Sequence, residues 1–178
     1  GDVYVGDWLN DIQNGKGIYK FQNGDVYEGD YVQGERTGEG IFRYVNGDKY
    51  TGHFSEGSLN GTGTYSWKNG DVYMGEWKND LQDGKGKLTK KNGDVFDGTF
   101  KKGKPDGMVI VHFSDGSKYK GTYKNGKREG SAIEVTKDGT RFEGTYVNDR
   151  RDGKFIEKNR DGQIVKKGRY ENGRRYEE

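Results

Sequence analysis

His53 and His112 are the only imidazoles in this 178-residue chain, and it has no cysteine. Metal or thiolate chemistry needs several such ligands converging on one point. The two histidines occupy unrelated places in the pattern set out below and read as surface residues. Carboxylates are more regular: Asp25, Asp48, Asp71 and Asp94 each follow an Asn-Gly pair. A residue repeated after a turn glycine is turn chemistry, not an acid and base set in contrasting environments. Gly121-Thr122-Tyr123-Lys124-Asn125-Gly126-Lys127 copies most of a phosphate-binding loop. Arg128 stands where that loop needs Ser or Thr, and no helix follows. No catalytic constellation, metal set or cofactor site emerges, so a non-enzyme is expected.

The remaining chemistry is in rings and charges. The chain holds 13 Tyr, 8 Phe and 3 Trp with 32 Gly and a single Pro, yet only 28% of it is hydrophobic and 34% is charged. Its mean hydropathy is -1.21. Such numbers border on disorder, but a net charge of only +2 and abundant aromatics argue against it. No apolar run approaches the roughly 20 residues of a membrane-spanning helix, and the opening Gly1-Asp2-Val3-Tyr4-Val5 has no signal-peptide pattern. The sequon Asn60-Gly61-Thr62 falls in a repeated turn and reads as chance. A cytoplasmic protein is expected.

What positions the rings is a strict period of 23 residues. Gly6, Gly29, Gly52, Gly75, Gly98, Gly121 and Gly144 keep it, as do Gly15 to Gly153 and Gly1 to Gly162 in two further series. The aromatics keep the same step, from Tyr4 to Phe142 and from Trp8 to Tyr146. Seven full repeats begin at 4, 27, 50, 73, 96, 119 and 142. A truncated eighth, 165–178, is shifted by one inserted residue. The start in mid-repeat points to a longer array or a larger parent protein. Repeats of this length mean a solenoid or an array of supersecondary units.

Within a unit, Tyr4, Gly6 and Trp8 alternate with Val5 and Asp7, and Gly15, Gly17, Tyr19 and Phe21 alternate with Lys16, Ile18 and Lys20. That is strand period, broken by Asn-Gly or Asp-Gly hairpin signals. A two-residue Asn23-Gly24 loop would put Tyr27 opposite Lys20. A three-residue loop Gln22-Asn23-Gly24 would put Tyr27 opposite Tyr19 and Gly29 opposite Gly17. The second is preferred, because rings and glycines then share a face and each glycine leaves room for a ring. At the other turn, the Gly or Asp at Asp11, Gly34, Gly57, Asp80, Gly103, Gly126 and Asp149 fits a left-handed residue. The expected fold is all-β: one elongated domain over 1–178, a single-layer antiparallel meander of tandem hairpins, twisted and grooved, with strands about 4.8 Å apart.

The unit Tyr-x-Gly-x-Trp/Tyr/Phe, turn, Gly-x-Gly, Asn/Asp-Gly resembles the MORN repeat (membrane occupation and recognition nexus) over essentially the whole chain. The second glycine of Gly-x-Gly holds at Gly17, Gly40, Gly63 and Gly86, then gives way to Val109, Ala132 and Phe155, so the later repeats are degenerate. The resemblance implies a scaffold in ciliary or other cytoskeletal assemblies, binding a helical or extended partner segment in a groove and often forming antiparallel homodimers. It also implies two alternatives. One is a membrane-association module, as in junctophilins. The other is a targeting region preceding a lipid kinase or a SET-domain methyltransferase.

Candidate residues follow from variation between repeats. The second strands of repeats one to three end in Tyr19 and Phe21, Phe42 and Tyr44, and Tyr65 and Trp67, whereas later ones end in Leu88 and Lys90, Val111 and Phe113, Glu134 and Thr136, and Glu157 and Asn159. A partner segment in a concave groove should meet the early rings, with Trp8 and Tyr31 beside them. The opposite face carries Ile18, Ile41, Ile110, Ile133 and Ile156, read as packing first and binding second. Charge is also uneven: residues 1–95 carry a net of -4 and residues 96–178 a net of +6. Arg150, Arg151, Lys154, Lys166, Lys167, Arg169, Arg174 and Arg175 are candidates for anionic lipid headgroups. Nucleic acid is disfavoured, because Glu157, Asp161 and Glu171 dilute that field.

Overall fold

Each 23-residue unit carries two different turn signals, and the fold uses both. The computed structural model describes all 178 residues, Gly1–Glu178, as seventeen strands with no helix. They fall into two compact units, Gly1–Lys91 and Asn92–Glu178. The first holds β1 (Val3–Leu9), β2 (Ile12–Lys20), β3 (Val26–Val32), β4 (Glu35–Arg43), β5 (Lys49–Ser55), β6 (Ser58–Ser66), β7 (Val72–Lys78) and β8 (Leu81–Thr89). Each pairs antiparallel with the next. The second holds β9 (Val95–Lys101), β10 (Lys104–His112), β11 (Lys118–Lys124), β12 (Lys127–Val135), β13 (Arg141–Val147), β14 (Arg150–Arg151), β15 (Gly153–Lys158), β16 (Ile164–Glu171) and β17 (Arg174–Glu177). It follows the same meander, except that β13 pairs with both β14 and β15.

The turn inside a repeat is a two-residue loop with both residues left-handed. Asn10 and Asp11 have φ of 50° and 63°, between the paired Leu9 and Ile12. This type I′ geometry matches the twist of the flanking strands. The left-handed residue expected at Asp11, Gly34, Gly57, Asp80, Gly103, Gly126 and Asp149 is present at all seven positions. The turn also drives Gln33, Glu56 and Lys102 to a φ of 49°, which costs such residues about 1 kcal/mol each.

The turn between repeats has the three-residue register. The Phe21 amide donates to Asp25 O at 2.9 Å, and the Gly24 amide to Phe21 O at 3.0 Å. Tyr19 then faces Tyr27 and Gly17 faces Gly29. The Gly15 series marks a bulge, with one residue between Gly6 and Trp8 set against three between Gln13 and Gly17. A side chain closes that bulge: the Asp7 carboxylate accepts from the Lys16 amide at 3.0 Å, and Asp30 from that of Glu39 at 3.0 Å.

Rings lie flat over the remaining glycines. A Cβ on Gly40 would sit 2.6 Å from the Tyr27 ring, whose hydroxyl donates to Asp30 O at 2.8 Å. Tyr27, Tyr50 and Tyr73 are thereby fully buried in a sheet without a second layer. Neighbouring repeats interlock edge to face: Tyr4–Tyr31 at 5.2 Å, Tyr27–Phe54 at 5.1 Å and Tyr50–Trp77 at 5.5 Å. Such pairs add to the roughly 1.5–3 kcal/mol of burying each ring. This is how a chain with so few aliphatic residues makes a core.

Candidate functional site

On the same face of the first unit, beside the buried ladder, the rings at the ends of the second strands form a continuous lane. Centroids step from Tyr19 to Phe21 at 4.5 Å, to Phe42 at 5.7 Å, to Tyr44 at 4.4 Å, to Tyr65 at 5.7 Å and to Trp67 at 4.7 Å. Phe42 is buried and the other five are half-buried. Tyr31 is a core ring against Tyr4 and Tyr27, whereas Trp8 is 57% exposed. The structure thus brings six of the eight nominated rings into one lane, with Tyr31 beneath and Trp8 at its margin.

The first unit also carries a hollow. A cavity of about 620 Å³ lies on the other face, lined by Val5, Ile18, Ile41 and Thr51 among charged residues. The sequence reading put the groove on the ring face, where the lane is a half-buried strip beside the fully buried rings. In the isoleucine stripe Ile18 is 37% exposed, whereas Ile41, Ile110, Ile133 and Ile156 are half-buried.

The recurring carboxylates hold the lane in place. Asp2 Oδ1 accepts from the Gln22 amide at 2.7 Å, Asp48 Oδ1 from that of Lys68 at 2.8 Å and Asp71 Oδ1 from that of Lys91 at 2.9 Å. Each therefore clamps the turn of the following repeat. The hydroxyls of Tyr19 and Tyr65 donate to Asp2 and Asp48 at 2.9 and 2.7 Å. The Gln22 amide, then the Tyr19 hydroxyl, holds the Asp2 carboxyl below its usual range. Lys90, then the Lys91 amide, does the same for Asp71. Burial, reinforced by Asp80, pushes the Tyr44 phenol up to about 12, so the lane is uncharged at neutral pH.

Arginines recur at the second position of the second strand: Arg36, Arg128, Arg151 and, after the inserted residue, Arg175. Each guanidinium lies over rings. Arg36 sits 5.5 Å from the Phe42 centroid, Arg128 4.5 Å from Tyr146, Arg151 3.8 Å from Phe142 and Arg175 4.6 Å from Phe155. Sequence reading passed over this series, although its 23-residue phase was visible. In the second unit these cations are internally matched. Arg151 pairs with Glu134 at 3.1 Å, and Arg175 grips Glu157 through two bonds of 3.0 Å.

That pairing revises the basic tail. Arg151 and Arg175 cover core rings and are spoken for, because their register sets them over Phe142 and Phe155. Lys166 and Arg169 pair with Glu177 and Glu171. Arg150, Lys154, Lys167 and Arg174 stand exposed. His53 Nδ1 lies 3.1 Å from Asn60 O at the bulge-closing position, and His112 is an exposed residue of β10. No group of three or more His, Cys, Asp or Glu side chains forms a metal cluster.

These features define an array of tandem β-hairpins with stacked rings. The MORN repeat model matches residues 4–26, 27–49, 50–72, 73–95, 96–118, 119–141 and 142–154, and the chain belongs to the MORN repeat family. Among solved structures, it is similar to the TCP domain of Drosophila melanogaster SAS-4 in complex with a proline-rich motif of Ana2. Identity is 18% over 84% of this chain and 82% of that one, with a TM-score of 0.55. A mutant TCP10 domain of Danio rerio CPAP aligns at 18% identity over 88% and 90%, with a TM-score of 0.36. The first likeness speaks to the fold; the second is too distant to argue from. No curated protein sequence matches the chain.

Proposed function

We propose that the chain is a non-enzymatic scaffold that captures an extended segment of a partner protein on the ring lane of its first unit. The observation that carries this reading is the lane's continuity: Tyr19, Phe21, Tyr44, Tyr65 and Trp67 are partly open to solvent and in contact from repeat to repeat. A row of rings suits a proline-containing segment, whose extended conformation is already formed before binding and whose rings pack on aromatic faces. The Drosophila domain of similar fold was solved with a proline-rich motif, and the same ligand class is adopted here. A cytoplasmic, cytoskeletal assembly is the setting proposed.

An array of synthetic proline-rich dodecapeptides, probed with the whole chain, tests this. Wild type should retain a subset of the peptides. The triple variant Phe21→Ala, Tyr44→Ala, Trp67→Ala should lose them while its far-ultraviolet circular dichroism stays unchanged. Retention of the same peptides by the folded variant would remove the lane from the function.

A further inference from the structure

Arg36 differs from the other arginines of its series in one respect: it has no anion. Arg128 Nε lies 3.3 Å from Asp149 Oδ1, twenty-one residues on. Arg151 meets Glu134, seventeen residues back, at 3.1 Å. The two corresponding positions around Arg36 are Gly57 and Tyr19, neither of which carries charge. Arg36 donates through Nη2 to Gly57 O at 2.8 Å, the same carbonyl position that Arg128 Nη2 uses on Asp149 at 3.0 Å. It forms no ion pair, and its Nε is buried without a hydrogen-bond partner. Its guanidinium is held 5.8, 5.7 and 5.5 Å from the centroids of Phe21, Tyr27 and Phe42. The cation therefore stands, half-buried and unmatched, against two rings of the lane.

We infer that Arg36 receives a carboxylate, an Asp or Glu side chain of the partner segment lying on the lane. A guanidinium partly withdrawn from water and lacking a counter-charge binds an incoming carboxylate more strongly than a fully solvated one does, and its planar fork suits that group. The lane itself supplies no competing cation, so this one contact sets both the register and the polarity of the segment. The ligand class is an extended proline-containing peptide with one acidic residue among its apolar positions. This inference rests on the lane being the docking strip, and it adds a charge requirement that the rings alone do not impose.

The peptide array distinguishes the two. A second set varies one position of each retained dodecapeptide among Glu, Gln and Lys, and binding is read as Kd by fluorescence polarisation. Wild type should prefer Glu to Gln by roughly tenfold or more, as a charge-assisted pair contributes. Arg36→Gln and Arg36→Leu copy residues the chain already uses at this register, Gln82 and Leu59, so both should fold. Each should bind the Glu and Gln peptides equally, and Arg36→Glu should prefer Lys. Retained peptides with no Glu preference in wild type, or a preference that survives Arg36→Leu, would overturn the inference and leave the lane standing. If no proline-rich peptide is retained at all, both fall together.

Discussion

In the first unit Tyr19, Phe42 and Tyr65 stand at the positions that Glu134 and Glu157 take in the second. The consequence is two ways of covering one face. A single-layer sheet has no opposing layer, so its rings must be roofed by something else. The second unit roofs Phe142 and Phe155 with Arg151 and Arg175, each neutralised by a glutamate. The first adds a second row of rings and leaves that row half open. One period thus encodes a roofed surface and a half-open one, and the difference turns on a few positions per repeat.

The most damaging way to break the comparison is to exchange the residue beneath the rings. Val109 occupies in the second unit the place of Gly40 in the first. Gly40→Val should cost about 3 kcal/mol, because the Cβ alone would overlap the Tyr27 ring. Ala132→Gly should cost less than about 1 kcal/mol. Urea unfolding checks both, and equal losses would mean that the ring-over-glycine contact does not limit packing.

Next in size is the roof of the second unit. Arg151→Gln should destabilise by about 2 kcal/mol, since it uncovers Phe142 and leaves the partly buried Glu134 with the Tyr146 hydroxyl but no cation. Adding Glu134→Tyr should restore about half of that loss and extend a ring lane into this repeat. Simple additivity of the two changes in a thermal-melt cycle would show that the pair is not a unit.

A smaller effect separates the turn clamps. Asp48→Asn should cost about 1 kcal/mol, because the carboxylate serves both the Lys68 amide and the Tyr65 hydroxyl. Thr140, at the same register in the second unit, clamps no following turn, and Thr140→Ala should stay within about 0.5 kcal/mol. The last comparison is one of pH. The carboxyls of Asp2, Asp48 and Asp71 are lowered in the folded chain. Their stabilisation is present above the unfolded value of about 3.9 and is lost as pH falls through the folded ones. Burial raises Tyr31, Tyr44 and Tyr73 to about 12. Their contribution is complete below the unfolded value of about 10 and disappears as pH rises to about 12. A flat unfolding midpoint between pH 10 and 12 would contradict this.

The hairpins and their register were legible because rings and glycines had to share a face, which only the three-residue loop at Gln22-Asn23-Gly24 allows. The tyrosine lane was legible for the same reason. Less so was the left-handed conformation of Gln33, Glu56 and Lys102, none of which favours it; the twist of the strands imposes it on them. Nor was the hollow beside Val5, Ile18 and Ile41 legible, because the alternation of residues does not write out the twist and bend of a sheet. Composition made Arg151 and Arg175 look like free positive charge, yet position places them over Phe142 and Phe155.

Three clamps of the first unit point forward, whereas Asp80 reaches back to the Leu59 amide at 2.8 Å. Asp2, Asp48 and Asp71 each complete a turn that lies twenty residues later in the chain, so these three acceptors are synthesised before the amides they receive. As a growing polypeptide leaves the ribosome, each of those turns meets a carboxylate that has already been made. Local pairing of this kind suits an array that closes, like a zip fastener, from one repeat to the next.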